Sequence, residues 1–568
     1  MRIVPSLVVV LALGAACKGK PEIGFEITVP NSLLDTAAWF EVGAFKDTSC
    51  GALLPLLPGG IPDGAVKRVA FRRDSKESPR VGDIPRASYA FAAVTRGDDC
   101  SIIATGCEEA DVGDTDSVLV QMREVDSPQG ACGVGAACQA GRCVPANDNQ
   151  DPSVGAGCSL ELLGSGPLAN PVGGGGTLVS APAVAATANG GFIVAYREVD
   201  PNGAGARLTV LPLDSGGGAP DPIRPGLPGR CAGSEETDGI GIALKGDDGM
   251  IALARAPCGA NPALELLNFK PTPEVGAFLV SPSPNATPVL LSPAKPVASR
   301  GNGNVVVYTE GGIARIANMD VAKGITGVST AGNPTLGTFG GSTTGLTDAW
   351  VAANDKVLAL LASGKGPVGS APPQDGGAEG GTPPDSGSSG EASLRLLLLP
   401  AATALTDLDA AQNRPRAPVT FTGAIGSLAA LGARVLVVSD GGGPGRSATF
   451  RAFDLNKDDP AVTNGFSVDG QGSVTGVDVA VQGDRAYFVA MKPGQIALQV
   501  FNNASTTPTP LRNVSFRREP RISGVDTVRD GRVAVAATEN RVAVAWTTAK
   551  VLNNNDHTGG YAVFACTQ

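Results

Sequence analysis

The residues of this chain whose types could do chemistry are eleven cysteines, one histidine and 54 acidic residues. A Ser-His-Asp or Cys-His arrangement would have to use His557, and no G-x-S-x-G motif supplies a nucleophile for it. His557 lies in the polar sequence 553–560, which is typical of a hairpin turn. A single histidine also excludes zinc, copper and haem sites that are built from several histidines.

Acidic residues leave two further chemistries open. Asp454, Asn456 and Asp458 resemble the D-x-N-x-D start of a calcium loop, although Asp459 stands where such loops have glycine. A solvated turn is the favoured interpretation and calcium the alternative, and no other metal or cofactor is expected. Carboxylate pairs serve glycosidases, but spacing alone places no pair here. Aromatic residues make up only 4% of the chain, which disfavours a sugar-binding cleft.

The cysteine count separates one cysteine from the other ten. If Cys17 is set apart, ten remain, which is enough for five disulfides in an oxidising compartment. Structural zinc is the alternative for the run Cys132, Cys138 and Cys143, but its spacing lacks the paired C-x₂₋₄-C pattern and histidine ligands.

Cys17 directly follows a mostly apolar stretch, residues 3–16, that begins after Arg2 and ends in small residues. This pattern is typical of a signal peptide, and it is shorter than the roughly 20 residues that span a bilayer. It resembles a bacterial lipoprotein signal, in which the cysteine becomes the lipidated first residue. Ordinary secretory cleavage is the alternative, because Gly14 and Ala16 also fit a small-x-small site. Lys18 favours the outer membrane, since the Asp that retains lipoproteins at the inner membrane is missing.

Composition indicates an all-β chain of several parts. The 77 glycines, 44 prolines and 17% charged residues suit short strands joined by turns. A net charge of −10 without a basic patch disfavours nucleic acid binding.

Three zones follow the predicted signal peptide (1–16) and an anchored linker (17–21). Residues 22–127 contain six alternating or apolar runs, which predict a small β-sandwich. Residues 128–157 form a cysteine-rich knuckle, too poor in apolar bulk to fold without disulfides.

Residues 158–568 carry a repeat in which a polar turn is followed by a short β-rich run, with one strand before it and one after. Successive runs start 51 to 58 residues apart, apart from one interval of 78. The runs are residues 192–196, 250–254, 305–308, 357–361, 435–438, 486–490 and 542–546.

Such units of three or four strands predict a β-propeller. Seven blades are favoured over six or eight, and a sandwich or solenoid is the alternative. The long interval contains residues 364–392, whose composition predicts a disordered loop insertion.

Ring closure makes a specific prediction about two cysteines. The last repeat lacks a fourth strand, which residues 159–163 could supply, so Cys158 and Cys566 would form a disulfide across the closure. Cys231 and Cys258 are expected to pair within the second repeat. The other six cysteines could pair in 15 ways. They are Cys50, Cys100, Cys107, Cys132, Cys138 and Cys143.

The segments LALGAAC (11–17) and CGVGAACQAGRC (132–143), with the seven repeated runs, resemble cysteine-containing propeller lipoproteins of myxobacteria and their relatives. The resemblance implies an exported protein held in the cell envelope by a lipid on Cys17. We therefore expect a non-catalytic binding or scaffold protein whose propeller face meets an envelope protein or polysaccharide. A carboxylate-based hydrolase or lyase acting at the central channel is the alternative.

Overall fold

The computed structural model describes most strands of the chain and leaves gaps between them. The described residues are 22–62, 64–73, 80–113, 117–132, 136–139, 142–145, 158, 160–168, 181–199, 206–219, 222–225, 239–245, 248–255, 263–269, 276–280, 289–290, 295–300, 303–320, 324–330, 338–339, 346–364, 368–369, 392–403, 405, 419–440, 447–455, 461–466, 474–492, 495–505, 508–517, 532–549 and 557–566.

The N-terminal domain is built from two facing sheets. One has the strand order β4-β1-β7, with β1 and β7 parallel, and the other contains β3-β2-β5-β6-β8. The strands are β1 (Glu22–Thr28), β2 (Trp39–Lys46), β3 (Lys67–Arg72), β4 (Arg80–Asp83), β5 (Ser88–Arg96), β6 (Ile102–Asp111), β7 (Ser117–Gln121) and β8 (Arg123–Gln129). Val118 and Val120 of β7 share one core with Val42 and Phe91 of the other sheet. Alternation along β7 therefore turns one face inward, as a half-buried strand requires.

A short helical segment covers the other face of the larger sheet. It comprises α1 (Cys50–Leu53) and a 3₁₀ helix (Leu54–Gly59). Leu53 and Leu57 pack against sheet residues such as Val94. Proline inside the 3₁₀ helix and glycine at its end keep this segment short. Cys50 is bonded to Cys107 of β6, which fixes the start of the segment to the sheet.

The knuckle is a hairpin of β9 (Ala136–Gln139) and β10 (Arg142–Pro145). Cys138 is bonded to Cys100, so the hairpin is tied to the N-terminal domain. Cys132 is also in a disulfide. Disulfide bonds therefore hold two of the three cysteines for which zinc was the alternative.

The rest of the chain forms small antiparallel sheets in succession. In sequence order their strands are β11 (Leu162–Pro167), β12 (Ala183–Ala186), β13 (Phe192–Val199), β14 (Ala206–Leu213), β15 (Ile240–Lys245), β16 (Asp248–Arg255), β17 (Ala263–Phe269), β18 (Gly276–Val280), β19 (Val289–Leu290), β20 (Val297–Arg300), β21 (Gly303–Glu310), β22 (Ile313–Asp320), β23 (Gly324–Thr330), β24 (Thr338–Phe339), β25 (Leu346–Ala353), β26 (Val357–Gly364), β27 (Val368–Gly369), β28 (Ser393–Pro400), β29 (Val419–Thr422), β30 (Gly426–Leu431), β31 (Arg434–Ser439), β32 (Ala448–Asp454), β33 (Ala461–Phe466), β34 (Gly476–Gln482), β35 (Arg485–Lys492), β36 (Gln495–Asn502), β37 (Thr509–Arg517), β38 (Arg532–Ala537), β39 (Arg541–Ala549) and β40 (His557–Ala565).

Within each sheet the strands follow one another as a meander. The orders are β12-β13-β14, β15-β16-β17-β18, β20-β21-β22-β23 with β19 also on β21, β25-β26-β28-β29, β30-β31-β32-β33, β34-β35-β36-β37 and β38-β39-β40-β11. The first strands of neighbouring sheets contact each other, as β15 does with β20 and β30 with β34. Successive meanders packed through their first strands are the architecture of a β-propeller.

The second strand of each sheet explains the unalternating runs of the sequence. In β26, Leu358 and Leu360 pack toward the preceding sheet, whereas Val357 and Leu361 pack toward the following sheet. Both faces of the strand are therefore buried, and every position of β26 is apolar or small.

Strand β11 joins the two halves of the chain. β11 pairs with β40 from Leu162 to Pro167, a few residues beyond the segment 159–163 that the sequence suggested. Its other edge pairs with β3 at Ser165 and Arg68, so the last sheet continues into the N-terminal sheet. Trp39 lies in one core with Val500 and Phe564, which adds side-chain packing to this junction.

Two regions predicted to be loops contain strand residues. Within the insertion 364–392, Gly364 ends β26 and Val368–Gly369 form β27, which pairs with β24. The residues 365–367 and 370–391 lie outside the described residues. His557 is the first residue of β40, paired with Ala549, and is not in a turn.

Candidate functional site

The centre of the propeller is the place where the alternative enzymatic function would act. The first strands meet there, and the first strand of the third sheet is interrupted. Its two pieces, β19 and β20, both pair with β21, and Lys295 lies between them. Lys295 has a φ of 44°, a left-handed conformation that is uncommon for a non-glycine residue. The interruption thus places a charged side chain among strands that are mainly apolar.

Asp478, on β34, is the partner of this lysine. Its side chain is 2% exposed, and its Oδ1 atom lies 3.1 Å from Lys295 Nζ. The same oxygen accepts hydrogen bonds from Ser427 Oγ at 2.6 Å and from its neighbour Val479 N at 2.8 Å. The other oxygen, Oδ2, accepts the Val535 N–H at 2.7 Å. Asp478 therefore bonds to β30 and β38, the strands on either side of its own.

Lys295 is held by its backbone as well as by its charge. Its carbonyl accepts the Val351 N–H of β25 at 3.1 Å. Its ammonium group also donates to the carbonyl of Val479. The Lys295 side chain is 24% exposed. Lys295 thereby connects the third, fourth and sixth sheets and contributes to holding them together.

This arrangement constrains the chemistry of the centre. A carboxylate acting as acid, base or nucleophile must have an oxygen free to face the substrate. Both oxygens of Asp478 are bonded to the protein, and Asp478 is the buried carboxylate among the described residues of the first strands. Lys295 and the hydrogen-bond donors compensate the buried negative charge of Asp478, as a carboxylate in a protein interior requires.

Three buried carboxylates away from the centre, those of Glu41, Glu198 and Glu310, are paired with arginine. Glu198 contacts Arg224 at 2.8 Å and also accepts a hydrogen bond from Thr209. Glu310 contacts Arg315 at 3.1 Å. In the N-terminal domain, Glu41 lies between two arginines, at 3.4 Å from Arg96 and 3.9 Å from Arg68. Glu41 and Glu310 pair with arginines on adjacent strands, whereas Arg224 lies outside the named strands.

The structure describes some of the predicted site residues and not others. Cys158 and Cys566 form a disulfide and are both buried. Cys17, Cys231 and Cys258 lie outside the described residues. Asp454 ends β32, while the other two calcium candidates, Asn456 and Asp458, also lie outside. In the part of the chain that the structure describes, no group of three or more His, Cys, Asp or Glu residues could hold a metal ion.

Sequence reasoning missed Lys295 and Asp478. Lys295 stands between two prolines of residues 293–296 and Asp478 in an ordinary strand, 183 residues away. The one available signal was a lone acidic residue in the otherwise apolar run 477–480.

No helix among the described residues is long and apolar enough to cross a membrane.

Comparison with known proteins adds distant structural likenesses. No protein-family model matches the chain, and no curated protein sequence matches it. The β-propeller domain of the Trilobed protease from Pyrococcus furiosus is 8% identical with a TM-score of 0.33, over 67% of this chain and 93% of that chain. The Dos1 propeller is 11% identical with a TM-score of 0.34, over 70% and 93%.

An α-L-arabinofuranosidase from Fusarium graminearum, Arb93A, is 11% identical with a TM-score of 0.36, over 60% of this chain and 93% of that chain. Identities and TM-scores this low carry no argument about fold or activity. The assignment of a propeller therefore rests on the strand order and on the contacts between successive sheets.

Proposed function

We propose that this protein is a non-catalytic binding or scaffold module of the cell envelope. One observation carries the proposal: the buried carboxylate at the centre is bonded to Lys295, Ser427 and the Val535 N–H, and so serves to connect sheets. Because the central carboxylate serves to hold sheets together, the loops and faces of the propeller are the surfaces left to contact a partner. That partner is an envelope protein or a polysaccharide.

The propeller is proposed to be a closed ring of seven blades. Support comes from β12, whose strand contacts both β15 of the following sheet and β38 of the last sheet. Phe192 and Tyr196 of β13 also share a core with Ala545 and Val563 of the last sheet. The Cys158–Cys566 disulfide and the β11–β40 pairing then join the beginning and end of the ring.

The location is proposed to be the outer membrane, through a lipid on Cys17. Disulfides at Cys50–Cys107, Cys100–Cys138 and Cys158–Cys566 are typical of proteins that fold in an oxidising compartment. Such a compartment is consistent with a signal peptide at residues 1–16. The lipid on Cys17 is the proposed covalent membrane anchor, and no nucleic acid partner is proposed.

Chemical cross-linking in intact cells, followed by purification of the lipidated chain, tests this function. We expect an envelope protein or polysaccharide to be captured with the wild-type chain and with D478N alike. A Cys17→Ser variant, which cannot be lipidated, is expected to leave the membrane fraction. The proposal fails if the purified protein cleaves a polysaccharide, peptide or ester and D478N abolishes the turnover while remaining folded.

A further inference from the structure

Two of the disulfides differ in how far they are exposed. In Cys158–Cys566 both cysteines are buried, with 1% and 0% of their surface exposed. In Cys100–Cys138, Cys100 is 1% exposed, whereas Cys138 is half-buried on the knuckle hairpin. Cys138 therefore offers a reductant more access than any of the three buried cysteines does.

Cys100 is held in a strained backbone conformation. Its φ is 71°, in the left-handed region that non-glycine residues rarely adopt, and it is the one described cysteine with a positive φ. Hydrogen bonds fix the turn around it. Its N–H donates to the Gly97 carbonyl at 3.0 Å, its carbonyl accepts from Arg96 Nη1 at 3.1 Å, and Asp99 Oδ1 accepts the Ser101 N–H at 2.9 Å. Strained disulfides are reduced more easily than relaxed ones.

The knuckle hairpin has little of its own to hold it in place. Val144 is the one branched aliphatic residue in β9 and β10, and a two-stranded hairpin is at best marginally stable alone. The hairpin lies against the propeller, since β10 contacts β37 and Cys138 packs, as Leu511 of β37 does, against the core that contains Val500. The Cys100–Cys138 bond thus fastens a weak hairpin between the N-terminal domain and the sixth sheet.

The chain just before the hairpin has an attachment of its own. The Cys132 N–H donates to the carbonyl of Asp99 at 2.7 Å, and Cys132 is in another disulfide. Breaking Cys100–Cys138 would therefore leave the hairpin tethered at one end and able to leave β37. The N-terminal domain would stay joined to the propeller, because β3 still pairs with β11.

We propose that Cys100–Cys138 is a redox-sensitive disulfide whose reduction by a dithiol releases the knuckle hairpin from β37. A thiolate of the reductant attacks Cys138 Sγ, and Cys100 leaves as a thiolate that takes up a proton. The second thiol of the reductant then displaces Cys138 and closes the reductant's own disulfide. Two electrons and two protons pass from the dithiol to the protein. The inference does not depend on a lipid at Cys17.

Equilibration with dithiothreitol tests the redox sensitivity. The matched control is Cys50–Cys107, which lies in the same domain and whose cysteines are also half-buried but have no positive φ. The full mature chain, with Cys17→Ser, is equilibrated at a series of ratios of reduced to oxidised dithiothreitol, and the free thiols are alkylated and counted by mass spectrometry. We expect Cys138 to be half-reduced at a ratio about tenfold lower than Cys107. Equal ratios, or earlier reduction of Cys107, overturn the proposal.

Amide exchange tests the release of the hairpin. C100A/C138A cannot form the bond, and C50A/C107A is the matched control. We expect exchange in β37 to rise about tenfold in C100A/C138A and to stay unchanged in C50A/C107A, with β2 and β5 protected in both. Unchanged exchange in β37 of C100A/C138A would reject the release. Loss of protection in β2 and β5 of that variant would show that the bond holds the whole domain together, and it would reject the proposal as well.

Discussion

Lys295 Nζ and Asp478 Oδ1 lie 3.1 Å apart although 183 residues separate them in the sequence. Lys295 belongs to the third sheet and Asp478 to the sixth, so the pair joins sheets that are not neighbours along the chain. Asp478 also bonds to Ser427 and to the Val535 N–H of the flanking sheets. The pair thus connects several sheets through one buried carboxylate.

Removing either member of this pair should destabilise the propeller by different amounts. Asp478→Ala removes the carboxylate partner of Lys295 and leaves Ser427 Oγ and the Val535 N–H without the acceptor they have in the native chain, and we expect a loss of about 3–5 kcal/mol in the free energy of unfolding. Lys295→Met should cost less, roughly 1–3 kcal/mol, because the lysine is partly exposed and water can replace it. Equilibrium unfolding in urea measures both losses.

The matched control for this pair is Lys356→Met. Lys356 is an exposed lysine in the turn between β25 and β26, and its substitution should change stability by less than about 0.5 kcal/mol. Equal stability of K295M and K356M would show that the pair of Lys295 and Asp478 does not stabilise the packing of the sheets.

The Cys158–Cys566 disulfide should be the main stabilising contact of the β11–β40 pairing. It joins residues 408 positions apart, and the chain-entropy model assigns a loop of this length about 6 kcal/mol. In C158A/C566A we expect faster amide exchange in β11 and β40. The control is C50A/C107A, which removes a disulfide of the other domain between residues 57 positions apart and should leave exchange in β11 unchanged. Equal protection of β11 in both variants would contradict this role.

Local structure was largely readable from the sequence. The apolar run at 192–196 lies within β13 and the run at 542–546 within β39, because a strand buried on both faces needs apolar residues at every position. β8 was missed because its exposed edge position leaves Arg123 and Asp126 free of any apolar pattern.

Long-range relationships were not readable in the same way. The pairing of β3 with β11 depends on how two edges dock, and neither Arg68 nor Ser165 carries a signal for it. Lys295 and Asp478 meet because sheets that are distant in the sequence pack against one another, and single-sequence patterns do not encode such a contact.

The N-terminal domain should contribute to the stability of the propeller through Trp39. Its ring lies in the core with Val500 and Phe564 and beneath the guanidinium of Arg72, 5.4 Å from the ring centroid. Trp39→Ala should cost about 3–5 kcal/mol and should expose the β3–β11 boundary to amide exchange. Trp39→Phe, which retains an aromatic ring, should lose less. Unchanged exchange at β11 in W39A would mean that the two sheets meet only through their backbones.

Alkaline pH should destabilise the fold through buried tyrosines. Burial, with a smaller contribution from Asp214, raises the pKa of Tyr561, and burial also raises the pKa of Tyr487. The neutral hydroxyl of Tyr561 donates to the Gly217 carbonyl at 3.2 Å. Because the folded pKa is raised, this contribution is complete below the unfolded value of about 10 and is lost as pH rises toward the folded value. Urea unfolding at about pH 9 and pH 11 measures the loss.

Tyr561→Phe isolates the contribution of one hydroxyl to this pH dependence. Near pH 8 the variant should be less stable by about 1 kcal/mol, because the Gly217 carbonyl loses a donor. Between about pH 9 and pH 11, however, Y561F should lose less stability than the wild type, by up to about 1.4 kcal/mol for each pH unit above the unfolded pKa. The difference arises because the unfolded variant has one tyrosine fewer to ionise. An identical loss in both proteins would show that Tyr561 ionises as readily in the folded chain as in the unfolded chain, and its burial at the junction would then not govern the alkaline limit of stability.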